Sequence, residues 1–394
     1  MGKGQSLTGI YSCEQTPFWM SLCVFSSFCA VYLQSLGYSN AELGIVMACG
    51  TLAGSLLGPW LSSLIDQSDH DRITAVSTMP PVLALEALAI VILLVFPVRG
   101  IVTSVAFAAF TALSTSVNSI NLKLYTDAVY SGYSIDYGMA RSMGSLGYVL
   151  TSFAVGFMCQ HISARAVPVT GLVICILQYV TFRYFARYVS SDAPGEKAEQ
   201  GEGHGMMAFL MRNKRFCLIL AATVLVFFAH NTLCNFFINV VKNVGGDTGD
   251  MGVLNGLMAF FEMPAIFFYS RITRGRKTSA VLRFAFIMFT VKAAALAAAA
   301  SVGQIAAAEI LQAPAFGLYS GAIVLYVDEV IPHEDSAKAQ SLAFTMTMLA
   351  SVFASTISGH LYDIMPVGRV LWIACAVSLA GTILAVMGVR KTRR

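Results

Sequence analysis

Residues 114–156 read STSVNSINLKLYTDAVYSGYSIDYGMARSMGSLGYVLTSFAVG, and this stretch decides the fold. The chain on both sides consists of long apolar runs, yet the stretch itself carries Asn118, Asn121, Lys123, Asp127 and Arg141. A lone charge at the centre of a bilayer costs about 3 kcal/mol on insertion scales. The two predicted helices that hold these residues therefore need polar partners or a watery cavity. Asp127 and Arg141 flank the short loop 131–136, and we expect them to pair.

The composition is that of a membrane protein. Hydrophobic residues make up 57% of the 394 residues and charged residues only 12%, whereas soluble domains carry about 25% charged residues. We predict an all-α membrane protein of twelve transmembrane helices, each of about 20 residues. The spans are predicted at roughly 17–35, 41–64, 73–96, 101–125, 139–159, 166–188, 216–240, 250–271, 279–300, 304–327, 337–359 and 368–389.

The distribution of lysine and arginine predicts the orientation of these spans. If the N-terminus is cytoplasmic, the outside loops hold only Arg99, Arg165, Lys242 and Arg369. The other lysines and arginines fall in inside segments or at the inside ends of spans, apart from Lys123, Arg141 and Lys292. We therefore expect a multi-pass protein of the plasma or inner membrane with both termini cytoplasmic. The polar N-terminus lacks a cleavage site of small residues, so the first apolar run is predicted to be a retained span.

Two pseudo-symmetric six-helix bundles are predicted, residues 1–189 and 206–394. They are joined by a cytoplasmic linker, residues 190–205, whose sequence SSDAPGEKAEQGEGHG has the composition of a flexible segment. Small residues recur at four-residue spacing in spans 2, 5, 8 and 11, which favours close helix packing. This recurrence suggests a three-helix unit used four times, and such repeats are typical of alternating-access transporters.

Three passages resemble the major facilitator superfamily, and in particular its proton-symporter branch of lactose permease, nucleoside and phenylpropionate transporters. They are YLQSLGYSNAELGIV (32–46), DYGMARSMGSLGY (136–148) and GHLYD (359–363). Glu262 and Pro264 also resemble an E-x-P pattern of this branch. The resemblance implies two six-helix bundles that rock around a substrate bound at mid-membrane between them.

The same resemblance implies roles for particular residues. Arg141 corresponds to the span-5 arginine that, in the lactose permease, pairs with a span-4 carboxylate and binds the sugar; Asp127 is the nearest carboxylate here. Lys292 lies where the branch often has a span-9 arginine. The histidine and glutamate of the permease's span 10 have no counterpart around QAPAFG (312–317). This departure argues against lactose-like sugars and against the same proton relay. The usual span 2–3 signature survives only in part, as Asp66 and Arg72.

Substrate contact is predicted for polar residues inside or near the spans. Arg141 would bind an anionic or polyhydroxyl group, and the alternative is that it reaches the lipid phosphates. For the remaining residues the alternative is bonding between helices, or, for the histidine, a satisfied helix contact. The candidates on spans 4 and 5 are Asn118, Asn121, Tyr125 and Arg141, and those on spans 7 and 9 are His230, Asn231, Asn235 and Lys292.

Proton coupling is predicted for one of four carboxylates: Glu86, Asp127, Glu262 and Glu309. Glu86 lies in mid-span among apolar neighbours, a setting that favours a carboxyl group able to carry a proton. A Glu–Lys pair across spans 8 to 10, involving Lys292, could release its proton-binding member when substrate arrives. The alternatives are structural pairing in each case, and for Asp127 an ion pair with Lys123 four residues earlier on the same helix.

These observations predict a secondary transporter that is not an enzyme. No nucleotide loop, catalytic spacing or metal cluster stands out, and the nine cysteines are scattered through apolar runs. We expect no cofactor and no nucleic acid; the expected partners are a small solute, protons and the lipid bilayer, and we expect a monomer. The predicted activity is proton-coupled uptake of a small organic solute. The alternatives are proton-antiport efflux of an amphipathic compound and, in another class, a membrane-embedded sensor.

Overall fold

The computed structural model describes residues 6–67, 73–189 and 205–390, and within these ranges every regular element is a helix. The chain divides into two units, Met1–Ala198 and Glu199–Arg394. Of the linker predicted at residues 190–205, all but Gly205 lies outside the described residues, as does Arg72. The two units are described separately below.

The N-terminal unit contains six helices. The first, α1, has three consecutive segments, Thr8–Leu22, Cys23–Ser27 and Cys29–Ser35. The others are α2 (Asn40–Gln67), α3 (Ala75–Val95), α4 (Ile101–Tyr130), α5 (Tyr137–His161) and α6 (Ala166–Phe185).

The C-terminal unit begins with a short helix, Met206–Arg212, and then contains six longer ones. They are α7 (Lys214–Asn235 and Phe237–Asn243), α8 (Thr248–Phe267, followed by Tyr269–Ile272) and α9 (Thr278–Ala298). They continue with α10 (Val302–Glu309, Ile310–Gln312, Ala313–Gly317 and Leu318–Val330), α11 (His333–Phe353, Ala354–Ser358 and Gly359–Ile364) and α12 (Val367–Gly388).

Helices therefore occur at all twelve predicted positions. In the described part of the chain, ten of them are long and apolar enough to cross a membrane, and an eleventh is α1 if its two parts, which meet at 45°, form one span. Helix α8 has 20 residues but carries Asp250 and Glu262 and is not among those eleven. The all-α membrane fold predicted from the sequence is confirmed.

The prediction placed the start of the first span too late. Helix α1 begins at Thr8 rather than near residue 17, so it includes Glu14 and Gln15. The hydroxyl groups of Ser12 and Thr16 donate to the carbonyl oxygens four residues earlier, at 2.6 and 2.7 Å, which satisfies these polar groups within the helix. One face of this first part is buried despite its polar sequence, and the average hydropathy does not show that.

Helix α2 approaches α4 closely because it presents glycines to it. A Cβ atom added at Gly50 would lie 2.7 Å from Thr111 Cβ, and one added at Gly54 would lie 2.9 Å from Thr115 Cβ. Such contacts leave no room for a side chain, so the small residues predicted to favour close packing in span 2 have this function.

The first long helix of each unit is interrupted shortly before its C-terminal end. Helix α1 passes through a π-helical segment, Cys23–Ser27, and restarts after Phe28, while α7 is interrupted at Phe236. Helices α10 and α11 also contain a π-helical turn, Ala313–Gly317 and Ala354–Ser358. Single π-helical turns in proteins are frequently located at functional sites. In α10, the irregular segment directly follows the charged residue Glu309.

Candidate functional site

The C-terminal unit contains a buried chain of four polar side chains from α8, α9 and α10. Lys292 Nζ donates to Glu309 Oε2 and to Gln312 Oε1, both at 2.6 Å. Gln312 Nε2 in turn donates to Glu262 Oε2 at 3.2 Å. We call these four residues the C-unit cluster. The pairing of a glutamate with Lys292, predicted from the sequence, is present in the structure.

The irregular part of α10 brings two members of the cluster to the same lysine. Helix α10 leaves α-helical geometry after Glu309, and Ile310–Gln312 form a 3₁₀ turn. Side chains three residues apart eclipse one another in a 3₁₀ turn. Glu309 and Gln312 therefore point the same way, toward α9. Pro314, which follows this turn, is its one signal in the sequence.

The C-unit cluster has one cation for two carboxylates. Lys292, Glu309 and Gln312 are only 2%, 1% and 2% exposed, and Glu262 is half-buried. A net charge is costly in such a place, by several kcal/mol per uncompensated ion. One lysine and two glutamates are electrically neutral together when they hold one proton between the two carboxylates. The cluster is therefore chemically suited to bind and release a single proton.

The predicted residues of span 7 lie around this region of the C-terminal unit. The half-buried ring of His230 stacks on Phe316 with 5.9 Å between ring centroids and also contacts Phe289. Asn231 is half-buried. Asn235 is buried, and its Nδ2 donates to Ser355 Oγ of α11 at 2.9 Å, so it joins two helices of the same unit.

In the N-terminal unit, Arg141 lies against an aromatic ring of α1. Its guanidinium carbon is 3.5 Å from the centroid of Trp19, and Nη1 donates to Ser145 Oγ at 2.8 Å. The indole fits against α5 because residue 144 is glycine: an added Cβ there would overlap Trp19 Cδ1. A cation over an indole face is favourable by about 0.5–2 kcal/mol. The sequence did not predict this partner of Arg141.

The ring of Trp19 is itself held by a short chain of hydrogen bonds along α1. Trp19 Nε1 donates to Gln15 Oε1 at 3.1 Å, and Gln15 Nε2 donates to the hydroxyl oxygen of Tyr11 at 2.6 Å. The ring of Tyr11 packs against Tyr125 and Tyr137, with centroid distances of 5.5 and 6.4 Å. Tyr125, a predicted substrate residue, thus belongs to an aromatic cluster that supports the position of Arg141.

Asn118 and Asn121 of α4 do not share one environment. Asn118 is exposed, whereas Asn121 is fully buried and neither atom of its side-chain amide has a hydrogen-bond partner within the described ranges. The prediction placed both on one face, but a spacing of three residues turns the second by about 60° from the first. That turn accounts for the difference in exposure.

Asp127 lies beside Lys123 on α4, with 3.8 Å between Nζ and Oδ1. Lys123 makes a shorter ion pair with Asp66 at the end of α2, at 2.7 Å. The contact between Asp127 and Lys123 is the alternative pairing that the sequence suggested for Asp127. These groups are partly exposed, and such ion pairs contribute typically up to about 1 kcal/mol.

Glu86 of α3 is fully buried. Its Oε1 accepts hydrogen bonds from the hydroxyl groups of Ser114 and of Ser21, the latter at 3.3 Å. Its Oε2 has no partner among the residues that the structure describes. A second carboxylate, Glu14 of α1, is also fully buried, and sequence reasoning missed it because the first span was started too late.

Metal binding finds no support in the described ranges, where no group of three or more His, Cys, Asp or Glu side chains is placed to hold an ion. All nine cysteines are free thiols.

Two units of six helices, with buried charges on helices that are long enough to cross a bilayer, define a multi-pass membrane transporter. Solved structures of transporters share this fold. The structure of the nucleoside transporter NupG matches with a TM-score of 0.78 at 15% identity over 96% of this chain and 97% of that one. An auto-inhibited POT family peptide transporter matches with a TM-score of 0.76 at 8% identity over 96% and 95%. At these identities the likeness is one of fold.

A third similar structure is a bacterial homolog of the human lysosomal transporter Spinster in an inward-facing, unoccupied conformation. It matches with a TM-score of 0.65 at 12% identity over 96% of this chain and 94% of that one. The family model described as "MFS_1 like family" matches residues 18–372, so the chain belongs to that family of major facilitator transporters. No curated protein is a significant sequence match. The resemblance expected from the sequence is confirmed, and both the family and the fold are those of membrane transporters.

Proposed function

We propose that the protein is a proton-coupled symporter that takes up a small organic solute by alternating access. The observation that supports this most strongly is the C-unit cluster, in which one lysine is shared by two carboxylates inside a membrane protein. Ionisable residues within membrane spans commonly mark ion pathways and proton relays.

The proton is held on the carboxylates of the cluster. Glu309 contacts Lys292 directly at 2.6 Å, so an ionised Glu309 is compensated by the ammonium. Glu262 is the half-buried member, and it accepts a hydrogen bond from Gln312, which itself accepts one from the lysine. We therefore assign the exchangeable proton to Glu262. With that proton bound, the cluster is neutral; without it, the cluster carries one net negative charge.

Coupling follows from this change in charge. A solute that binds better to the neutral cluster increases the affinity of Glu262 for its proton by the same factor, because such linkage is reciprocal. Solute and proton then bind together on one side of the membrane and leave together on the other. The same linkage predicts that solute affinity increases as the pH falls through the titration of the cluster.

Arg141 is our candidate for the group that binds the solute. The planar guanidinium offers several N–H donors in a fixed geometry, which suits a carboxylate, a phosphate or neighbouring hydroxyl groups. It is half-buried and its plane is held by Trp19. A solute with an anionic or polyhydroxyl group fits this arrangement. Further contacts are proposed for Asn118, Tyr125, His230 and Asn231.

The proposed setting is the plasma or inner membrane, with both termini cytoplasmic and the chain acting as a monomer. The excess of lysine and arginine in alternate loops supports this orientation.

Uptake into proteoliposomes tests the proposal. The purified protein is reconstituted and offered labelled sugars, nucleosides and aromatic acids, with and without an imposed pH gradient that is alkaline inside. We expect at least one solute to accumulate above its outside concentration only when the gradient is present. Arg141→Ala should weaken binding of that solute, whereas Arg165→Ala, which changes an exposed arginine outside the helices, should not.

Two results would overturn the proposal. Solute expelled against its gradient by inward-moving protons would identify an antiporter. Equal flux with and without the pH gradient, for every solute that is transported, would show that the protein is not coupled to protons.

A further inference from the structure

Glu14 of α1 is a buried carboxylate to which the proposed cycle gives no role. Its side chain is 0% exposed, and neither of its oxygens has a hydrogen-bond partner in the described part of the chain. The adjacent Gln15 is also buried, but its amide bonds to both Tyr11 and Trp19. An ionised carboxyl group is costly to bury without a partner. A buried carboxyl group that has no partner is therefore expected to hold a proton and to be neutral.

The face of α1 that carries Glu14 leads to the second buried carboxylate of this unit. Positions 14 and 21 are seven residues apart, which places them on one helix face at a separation of about 10 Å. Ser21 donates to Glu86 Oε1 at 3.3 Å. Glu14 and Glu86 therefore lie at two levels of the same polar row.

Helix α6 adds a third member at the level between them. The helices run antiparallel: the ring of Phe185 contacts that of Tyr11 at 5.4 Å, and a Cβ at Gly171 would lie 3.7 Å from Val24 Cγ1. Interpolation between these two contacts puts Gln178 opposite residues 17 and 18 of α1. Gln178 is 1% exposed, and its Nε2 has no partner among the described residues.

Among the described residues, the contacts that neighbouring helices make with α1 place no cation beside Glu14. Helix α5 presents Arg141, but it lies on Trp19, and positions 14 and 19 are about 140° apart around the helix. Helix α5 also presents Tyr137 and α4 presents Tyr125, both against the ring of Tyr11. Helix α3 presents Glu86 to Ser21 of α1, and Cys175 of α6 donates its Sγ–H to the carbonyl oxygen of Leu83 on α3.

We propose that Glu14 is a second proton-binding site of the transporter, and that Gln178 and Glu86 continue it as a buried row within the N-terminal unit. Glu14 takes a proton from hydronium on one side of the membrane, so that a hydronium O–H bond breaks as the carboxylic O–H bond forms, and it returns the proton to a water molecule on the other side. No other bond changes. That the bound proton takes part in coupling rests on the function proposed above; that Glu14 holds an exchangeable proton does not.

Infrared spectroscopy of the full-length protein in lipid, in H₂O and in D₂O at neutral pH, tests the site. We expect Glu14→Gln to remove a C=O band of a protonated carboxylic acid, and that band to shift in D₂O in the wild type. Glu14→Asp should keep an acid band, and Gln178→Leu should displace it. The control Glu42→Gln changes a partly exposed glutamate that pairs with Arg99 at 2.7 Å, and it should remove only a carboxylate band.

Loss of a carboxylate band in Glu14→Gln, or an acid band that does not shift in D₂O, would overturn the proposal. If Glu14→Gln does not fold, as judged by circular dichroism, an acid band that Gln178→Leu leaves unmoved overturns it instead. In gradient-driven uptake, loss of one coupled proton should lower accumulation about tenfold per pH unit of gradient. If wild-type uptake does not depend on the pH gradient but the Glu14 acid band shifts in D₂O, the proposed symport is overturned and the proton site at Glu14 is supported.

Discussion

In the N-terminal unit, Glu14 and Glu86 are fully buried, and the contacts described for them are to hydroxyl groups or to none. In the C-terminal unit, Glu309 is equally buried but lies 2.6 Å from the ammonium of Lys292. Burial is the same in the two regions, and the difference is the cation. The same side chain is therefore expected to be a neutral acid in one unit and an ionised carboxylate in the other.

This difference has consequences for substitutions. An amide has nearly the shape of a carboxylic acid, so glutamine can replace a neutral glutamate with little change in the free energy of unfolding. Where glutamate is one half of a buried ion pair, removing either partner leaves an uncompensated charge, which costs about 3–5 kcal/mol. The predictions below test the comparison, beginning with the largest expected effect.

Lys292→Met should break the comparison most severely, because it leaves two carboxylates in the C-unit cluster without a cation. We expect a loss of about 3–5 kcal/mol of stability, seen as a lower midpoint of thermal unfolding in detergent. The double variant Lys292→Met/Glu309→Gln should recover most of this loss. Glu262 is then the one carboxyl group left in the cluster, and it can become neutral by binding a proton. A single variant that unfolds no earlier than the double variant would show that Glu309 is not ionised.

Gln312→Leu should disconnect Glu262 from Lys292 while the ion pair with Glu309 remains. Losing a hydrogen bond to a charged group costs about 1.5–3 kcal/mol, so we expect gradient-driven uptake to fall by roughly tenfold to a hundredfold. Gln340→Leu is the matched control, because Gln340 bonds to Asp328 at 2.8 Å outside the cluster. Equal uptake by the two variants would argue against the relay through Gln312.

Gly144→Ala should displace Trp19 and, with it, the guanidinium of Arg141. Overpacking typically costs 1–3 kcal/mol, and we expect a roughly tenfold weaker affinity for the transported solute in a binding assay. On the same helix, a Cβ at Gly138 would meet only Asp136 Oδ1, at 3.4 Å, so Gly138→Ala serves as the control. An unchanged affinity in Gly144→Ala would mean that the indole does not position Arg141.

Glu86→Gln should have the smallest effect, a change in stability below about 1 kcal/mol, since both serine hydroxyl groups can still bond to the amide. Glu309→Gln, which disturbs the pair with Lys292, should lower the unfolding midpoint more. If Glu86→Gln proves as destabilising as Glu309→Gln, the two units do not differ in the way inferred here.

The positions of the helices and the pairing of Lys292 with a glutamate could be predicted from the sequence. Long apolar runs determine the spans, and a lysine in such a run needs an anionic neighbour. The identity of that neighbour depended on the 3₁₀ turn of α10, a local change of pitch that no composition reveals.

Other features of the site escaped prediction for different reasons. Glu14 was missed because its polar neighbours lower the average hydropathy of the start of α1, although one face of that helix is buried. Trp19 was not associated with Arg141 because the contact joins two helices far apart in sequence and depends on the absence of a side chain at Gly144. Periodicity within one helix carries no information about such contacts.

The central claim, that Glu262 carries the coupled proton, is tested most directly by measuring proton and solute entry together in proteoliposomes. The wild type should take up protons whenever it takes up solute. Glu262→Gln, whose cluster is permanently neutral, should still exchange solute across the membrane but should move fewer protons per solute than the wild type and accumulate less solute in a pH gradient. Proton entry in Glu262→Gln at the wild-type ratio to solute would contradict the account.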